Sequence, residues 1–395
     1  MIKSSLCDTD LMIAKLSDSI QMITEEDDDL DLFECRYPIP DGVTYNSYVI
    51  SDEKIAVLDT MDARRSQAWE QDISAILDGS EPDYLVVHHM EPDHAACIGE
   101  FSSKHPKMKI VGNERTFKMI EQFFGKGFED RRLIVEDGYV LELGKHSLKF
   151  ITTPMVHWPE VMMSYEASEK ILFTADAFGR FGPSDPNYDW VLGARRYYYN
   201  IVGKYGPQAA KALEKVASLD VRSICPLHGP VLNEDLGTYV DYYVKWANYK
   251  AESNGVLIAY TSVYGNTKKA AYDLLDILKK KGVEAEIIDV ARTDVSYLIE
   301  KAFFYSKMVV ATTTYEAGIF PVMANFLLEL KDKRYSSRDV GVIENGSWAP
   351  AAGAEIERIF SSMEGVRLVR PRITIRSAMK DEQMVELSDL AEKLA

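Results

Sequence analysis

Three of the seven histidines fall in one nine-residue stretch, Val86-Val87-His88-His89-Met90-Glu91-Pro92-Asp93-His94, directly behind an apolar run. A strand ending there projects His89, Glu91, Asp93 and His94 at spacings of two, two and one, so four ligand atoms can enter one cavity. That density of imidazole and carboxylate is typical of a site for two metal ions; polar residues on the surface at a strand end are the plain alternative. Two further histidines also follow apolar strands: His157 in Thr153-Pro154-Met155-Val156-His157-Trp158-Pro159-Glu160, and His228 in Ile224-Cys225-Pro226-Leu227-His228-Gly229-Pro230. Asp176 comes immediately after Ile171-Leu172-Phe173-Thr174-Ala175. A lone carboxylate there is costly unless it is paired or metal-bound, and a helix cap or turn is its plain alternative. His88, His105 and His146 lack such placement and read as non-ligands, with His88 a candidate to support the neighbouring ligands.

A second kind of chemistry lies further on. The strand Val256 to Tyr260 runs into Thr261-Ser262-Val263-Tyr264-Gly265-Asn266-Thr267 and then a helix, gathering hydroxyls and backbone N–H groups at a helix N-terminus, a setting suited to phosphate. No dinucleotide G-x-G-x-x-G is present there, and an ordinary strand-to-helix turn is the alternative.

The elements that must position these groups fall into two segments. From about Ser47 to Gly229, short β-rich runs alternate with turns: Ser47 to Leu58, Tyr84 to His88, Met108 to Val111, Leu133 to Val135, Leu148 to Thr152 and Val161 to Tyr165. Helices are interspersed around Thr116 to Phe124 and Gln208 to Ala217, which suggests an α/β sandwich. Glu234 to Glu252 reads as a polar helix, and Ser253-Asn254-Gly255 marks a domain boundary, giving domains 1–252 and 253–395. Beyond it, strands Val256 to Tyr260, Ala285 to Val290, Met308 to Thr312, Val340 to Glu344 and Arg372 to Arg376 alternate with five helices, the rhythm of an open, doubly wound parallel sheet. Its ligands are expected at the carboxyl ends of the strands.

Composition bounds the function. The 395 residues suffice for two to three domains at roughly 150 residues each. Lys plus Arg number 45 against 62 Asp plus Glu, a net charge of -17, which disfavours nucleic acid and anionic membranes as partners. Residues 251–395 hold 19 basic and 21 acidic residues, so the remaining 26 and 41 place the acidity in the first domain. Part of it is the cluster Glu25, Glu26, Asp27, Asp28, Asp29, Asp31 and Glu34, read as a solvated segment with a docking patch as the sharper alternative. No apolar run is long enough to span a bilayer, and Met1 to Leu16 lacks the layout of a signal peptide, so the expected location is cytoplasmic. Cys7, Cys35, Cys97 and Cys225 are widely spaced and read as reduced thiols, with no C-x-x-C pair for a zinc ribbon or appended iron-sulfur module.

The metal motif resembles that of the metallo-β-lactamase fold, H-x-H-x-D-H followed by a distant His, an Asp and a final His, with Glu91 in place of its second His. Four imidazoles and three carboxylates are a harder, more anionic set, suited to two irons rather than to zinc. This H-x-E-x-D-H variant resembles the flavodiiron proteins, also called A-type flavoproteins, in which a flavodoxin-like domain follows the metal domain. The resemblance implies an αββα sandwich followed by a flavodoxin-like parallel sheet. It implies that His89, Glu91 and His157 bind one iron, Asp93, His94 and His228 the other, and that Asp176 bridges them; the family varies in whether the His at the position of His94 reaches the metal. The family also places a tyrosine near the metals, so Trp158 and the run Tyr197-Tyr198-Tyr199 are pocket candidates, with Tyr198 and Trp158 the residues expected to act. For FMN, the resemblance implies a phosphate loop of Thr261, Ser262, Val263, Tyr264, Gly265, Asn266 and Thr267. The isoalloxazine ring would then lie between Thr313, Thr314, Tyr315 and Gly318 on one side and Asn345, Gly346, Ser347, Trp348 and Ala349 on the other. Thr312-Thr313-Thr314 stands where Ser-Pro-Thr is commoner in the family.

The implied activity is reduction of dioxygen to water, of nitric oxide to nitrous oxide, or both, with FMN relaying electrons to the irons. The implied donor is a rubredoxin or a reduced deazaflavin coenzyme. Because the two sites lie on different domains, a head-to-tail homodimer, or a dimer of such dimers, is the expected assembly. A metal-dependent hydrolase with a flavodoxin-like regulatory domain and a non-catalytic electron carrier are the competing classes, the first opposed by Glu91 and the second by the complete ligand set.

Overall fold

A computed structural model describes residues 13–185 and 187–395, so Cys7 and most of Met1 to Leu16 lie outside the described residues. Alternation of apolar and polar residues builds the first unit. Ile13–Lys15, Ile20–Asp27, Val43–Ser51, Ile55–Leu58, Tyr84–Val86, Lys109–Gly112 and Arg132–Ile134 form a seven-stranded sheet in that order, antiparallel up to Ile55–Leu58 and parallel beyond it. Val140–Glu142, Ser147–Thr152, Met162–Glu166, Ile171–Phe173 and Ser223–Cys225 form a second sheet of five. Tyr48, Ile50, Leu58, Val86 and Val111 from the first sheet pack in one buried cluster with Leu148, Phe150, Met162 and Phe173 from the second. The helices Ser66–Leu77 and Glu114–Phe124 pack on the first sheet, so the expected sandwich is present.

One expected strand is two. Ser47 to Leu58 contains the exposed turn around Asp52, Glu53 and Lys54, and the flanking runs pair antiparallel with Tyr48 opposite Leu58. The strand Ile20–Asp27, hidden from periodicity by its acidic second half, adds to the same sheet.

In the second unit the strands Ala285–Asp289, Ser253–Tyr260, Tyr305–Tyr315 and Asp339–Asn345 lie side by side and parallel, with Ile373–Ile375 beyond the last. In chain order this is 2-1-3-4-5, the order of flavodoxin-like doubly wound sheets, with its switch point between the first and third strands. Helices Asn266–Lys280 and Asp381–Leu394 pack together against the sheet, and Val295–Phe304 packs with Pro321–Asp332.

The boundary differs from the expected 252/253 division. Contacts group the described residues up to Ala194 with Gln208–Val240, and Arg195–Pro207 with Asp241–Ala395. The reason is local: the Arg195 guanidinium lies 2.6 Å from Glu252 and 3.0 Å from Glu300. Tyr199 stacks on Phe303 at 4.3 Å between ring centroids.

The acidic cluster is not a uniformly solvated run. Glu25 and Asp27, two apart on a strand, are buried, whereas the Asp28 and Asp29 side chains are 88% and 89% exposed. Asp27 is flanked by Arg64 at 2.6 Å and Arg65 at 2.9 Å. Glu25 has weaker compensation: burial first, and then the nearby Asp72, push its carboxyl from about 4.5 up to about 7 against the opposing pull of Arg65. Between those two values the folded chain binds a proton that the unfolded chain has lost, so this group's contribution is full below about 4.5 and disappears as pH rises through 7. We therefore expect Glu25→Gln to raise the melting temperature at pH 8 and to leave it nearly unchanged at pH 4, as followed by circular dichroism melts.

Candidate functional site

The strand Tyr84–Val86 lies inside the seven-stranded sheet between two parallel neighbours, so its end is held on both sides. Just beyond it the chain turns into the short helix Pro92–Ala95, with Pro92 at its first turn and Glu91 extended before it. This separates Glu91 from Asp93 and His94. The preceding backbone is fixed by Asp59, whose Oδ1 accepts the N–H groups of His88 at 2.7 Å and His89 at 3.3 Å. The same carboxylate meets His88 Nδ1 at 2.6 Å, and His88 Nε2 meets the Ser164 hydroxyl at 2.8 Å. His88 is thus a buried support for the ligand loop. Asp59 shares the trait that singled out Asp176, an acid directly after an apolar strand, and that trait marks it too.

The seven expected donors come together as two buried groups, His89, Glu91, His157 and Asp176 in one, Asp93, His94 and His228 in the other. In the first, His157 Nε2 lies 3.0 Å from Glu91 Oε2 and 3.1 Å from Asp176 Oδ2, and His89 Nε2 lies 3.2 and 3.5 Å from the same two oxygens. In the second, His94 Nε2 is 3.4 Å from Asp93 Oδ2, 3.0 Å from His228 Nε2 and 3.3 Å from Asp176 Oδ1. Asp176 therefore turns one oxygen to each group. Donors about 2.1 Å from a common ion sit roughly 3.4 Å apart, so these spacings suit ion coordination.

Tautomers support this. His228 Nδ1 lies 2.8 Å from the Thr44 carbonyl, which only accepts, so Nδ1 carries the proton and Nε2 presents a lone pair toward His94 and Asp93. Both Asp93 oxygens are buried without a hydrogen-bond partner. Buried lone pairs facing one another at such distances repel unless a cation lies among them, so the donor set fits two metal ions. The pKa directions follow the same charges. Burial favours neutral imidazole, yet Asp176, Glu160 and Glu91 hold His89 well above its ordinary value, and Asp176 and Glu91 lift His157 to about 9. Burial opposes ionisation of Asp176, but His89, His157 and His94 hold it well below the carboxylate range.

Trp158 stands where expected, its ring 5.3 Å from that of His89. Tyr198 does not. It is fully buried in the second unit, among Tyr199, Tyr243 and Trp246 at 5.1 to 5.4 Å, because the bulky rings of this run fill a core rather than a pocket wall. The tyrosine beside the donors is Tyr45, on the strand Val43–Ser51, with its ring 5.7 Å from His228 and 6.2 Å from His94. Glu34, counted above with the acidic cluster, brings its carboxyl near Glu91 from the hairpin whose Phe33 ring lies 5.6 Å from His228. Crowding of the carboxyl by the groups around it, and then the neighbouring Glu91, push it up to about 7 although the residue as a whole is exposed. His105 and His146 pair with Glu81 and Glu166 away from the two groups, and Cys35, Cys97 and Cys225 are free thiols.

In the second unit, the loops after the first, third and fourth strands converge on one pocket of about 400 Å³ at the switch point. Of the residues expected there, all but Thr261, Gly265 and Gly318 line it, and Glu316, Ala317 and Ser377 join them. Thr261 instead ties two loops together through its hydroxyl, 2.6 Å from that of Thr312, and Thr267 and Thr313 are joined at 3.3 Å. Tyr264 and Trp348 are 92% and 87% exposed at the rim, two large rings that can hold a planar ligand. Gly265 precedes the helix Asn266–Lys280 with φ of 91°, so the phosphate-type turn depends on a left-handed residue. Forcing an alanine into that turn costs about 1 kcal/mol, so Gly265→Ala is expected to weaken FMN binding about fivefold in a flavin fluorescence titration, with metal content unchanged.

Comparison with known proteins agrees with both halves. A family model described as ODP family beta lactamase matches residues 43–229. An uncharacterised protein of Methanocaldococcus jannaschii is 30% identical over 392 residues, covering 98% of each chain. A nitric oxide reductase of Moorella thermoacetica is 27% identical over 364 residues, covering 90% of each. The solved rubredoxin oxygen:oxidoreductase of Desulfovibrio gigas superposes with a TM-score of 0.91 at 26% identity, covering 97% of each chain. The solved flavo di-iron protein of Thermotoga maritima superposes with a TM-score of 0.89 at 25% identity, covering 98% of this chain and 99% of that one, and because these similarities run through both units at once the chain belongs to the flavodiiron protein family.

Proposed function

We propose that this oxidoreductase reduces dioxygen to water, nitric oxide to nitrous oxide, or both, at two irons held in the first unit, with FMN held in the second. The observation that carries the reading is Asp176, whose two oxygens face two separate sets of donors, 3.1 Å from His157 on one side and 3.3 Å from His94 on the other. Bound there, two irons supply paired redox centres for a diatomic gas, and FMN supplies an acceptor able to take electrons singly or in pairs.

The chain's own residues make such a centre workable. Glu91, Asp93 and Asp176 bring three negative charges against the four of two divalent ions, so little net charge is left inside the protein. Trp158, Tyr45 and Phe33 set aromatic rings against the donors, an apolar surround suited to a small apolar gas. In the second unit, the Ser262 to Thr267 turn is suited to the FMN phosphate, and Tyr264 and Trp348 to its ring. Relatives are named for both gases, one as a nitric oxide reductase and one as a rubredoxin oxygen:oxidoreductase. Either a rubredoxin or a reduced deazaflavin fits the donor role. No helix among the described residues is long and apolar enough to cross a membrane.

Two measurements test the reading. Chemically reduced protein in a sealed cell should consume dioxygen or nitric oxide rapidly, and Asp176→Ala should abolish the consumption; loss of neither gas, with metal and flavin in place, would favour a metal-dependent hydrolase. We further propose that the flavin of one subunit serves the metals of another in a head-to-tail dimer or a dimer of dimers. Activity per chain should then fall on dilution in step with dissociation followed by light scattering, and a fully active monomer would contradict it.

A further inference from the structure

Glu160 lies on the same loop as His157 but is not one of the seven donors, and its side chain is almost completely buried. Its Oε1 meets His89 Nδ1 at 2.9 Å and accepts the Met90 N–H at 2.8 Å, while Oε2 makes no hydrogen bond. His89 is the only ion-pair partner of this carboxylate among the described residues. The loop cannot easily retreat, since the Glu160 carbonyl accepts from Asn113 and the Pro159 carbonyl from Arg115 at 2.8 Å. The imidazoles of the other donor group are held differently. His228 rests its Nδ1 on the neutral Thr44 carbonyl, and His94 Nδ1 makes no hydrogen bond.

We propose that Glu160, acting through His89, makes the two iron positions electrically unequal, the one at His89, Glu91 and His157 being held more tightly and being harder to reduce. The inference rests on the diiron reading above. A carboxylate behind a ligating imidazole raises its basicity and fixes its tautomer, and the buried negative charge favours the more oxidised ion in front of it. Glu160 thus adds a buried carboxylate behind the position that holds Glu91, the other position holds Asp93, and Asp176 is shared between them. Glu160 is in this sense a positioning residue with a charge role.

The test uses the full chain reconstituted with iron-57, with Glu160→Gln and Glu160→Ala beside wild type. The glutamine oxygen can keep both hydrogen bonds, with its nitrogen in place of the unbonded Oε2, so this variant removes charge and little else. We expect E160Q to retain two irons, while a redox titration followed by Mössbauer spectroscopy shows its two one-electron steps drawn together by a rise in the lower one. E160A should in addition bind iron at that position 10- to 100-fold more weakly in chelator competition. Unchanged spacing of the two steps in a folded E160Q would overturn the proposal, as would failure of E160Q to fold, because a purely structural role would not separate charge from hydrogen bonding. A wild-type chain that binds no pair of irons would instead sink the diiron reading itself.

Discussion

Seven acids and imidazoles converge in a space that water scarcely reaches, and the first unit is organised around that electrostatic demand. Glu91, Asp93 and Asp176 are 9%, 8% and 1% exposed. Charges this close, at low local dielectric, cannot coexist without compensation, and protons or metal ions are the means available. The surrounding hydrogen bonds only make sense with the donors held in place before any ion arrives. Asp59 clamps two successive backbone N–H groups, Thr44 sets the tautomer of His228, and Glu160 sets that of His89. Each clamp comes from a different strand end or loop, so the fold of the unit and the shape of the site are one problem.

The second unit meets a different demand with related architecture. Parallel strands end at the same edge, and at the point where their order reverses the loops splay apart and leave a cleft. Hydroxyl ties between Thr261 and Thr312 and between Thr267 and Thr313 hold the cleft's floor, while two aromatic rings remain at its rim in solvent. One site is a closed polar knot and the other an open cleft with aromatic edges. That difference follows from what each is suited to hold: small ions that need many fixed donors, and a flat organic body that needs a phosphate anchor and stacking faces.

Much of this was legible in the chain. All seven metal donors stood out because each follows an apolar strand and is costly to bury alone, and the five strands of the second unit stood out through their alternation with amphipathic helices. The phosphate loop was legible because hydroxyls and a glycine sit between a strand and a helix. Less legible were groups whose importance depends on who their neighbours are. Tyr45 sits on an ordinary strand, Glu34 looked like one more acid in a run, and Glu160 follows two residues that attract more notice. Tyr198 misled for the same reason in reverse, since an aromatic run carries no mark that distinguishes a core from a pocket wall.

What the sequence by itself determined, then, is the set of groups with an intrinsic cost: charged side chains at the ends of apolar strands, and a turn that only glycine makes cheaply. Those costs are local and can be read residue by residue. Only the tertiary structure decided that Asp176 divides its two oxygens between donor groups, that Glu160 backs His89, and that Arg195–Pro207 packs with the second unit. These are relations between residues tens of positions apart, and no local preference encodes them. They exist only once two sheets have packed and brought the ends of their strands to the same edge.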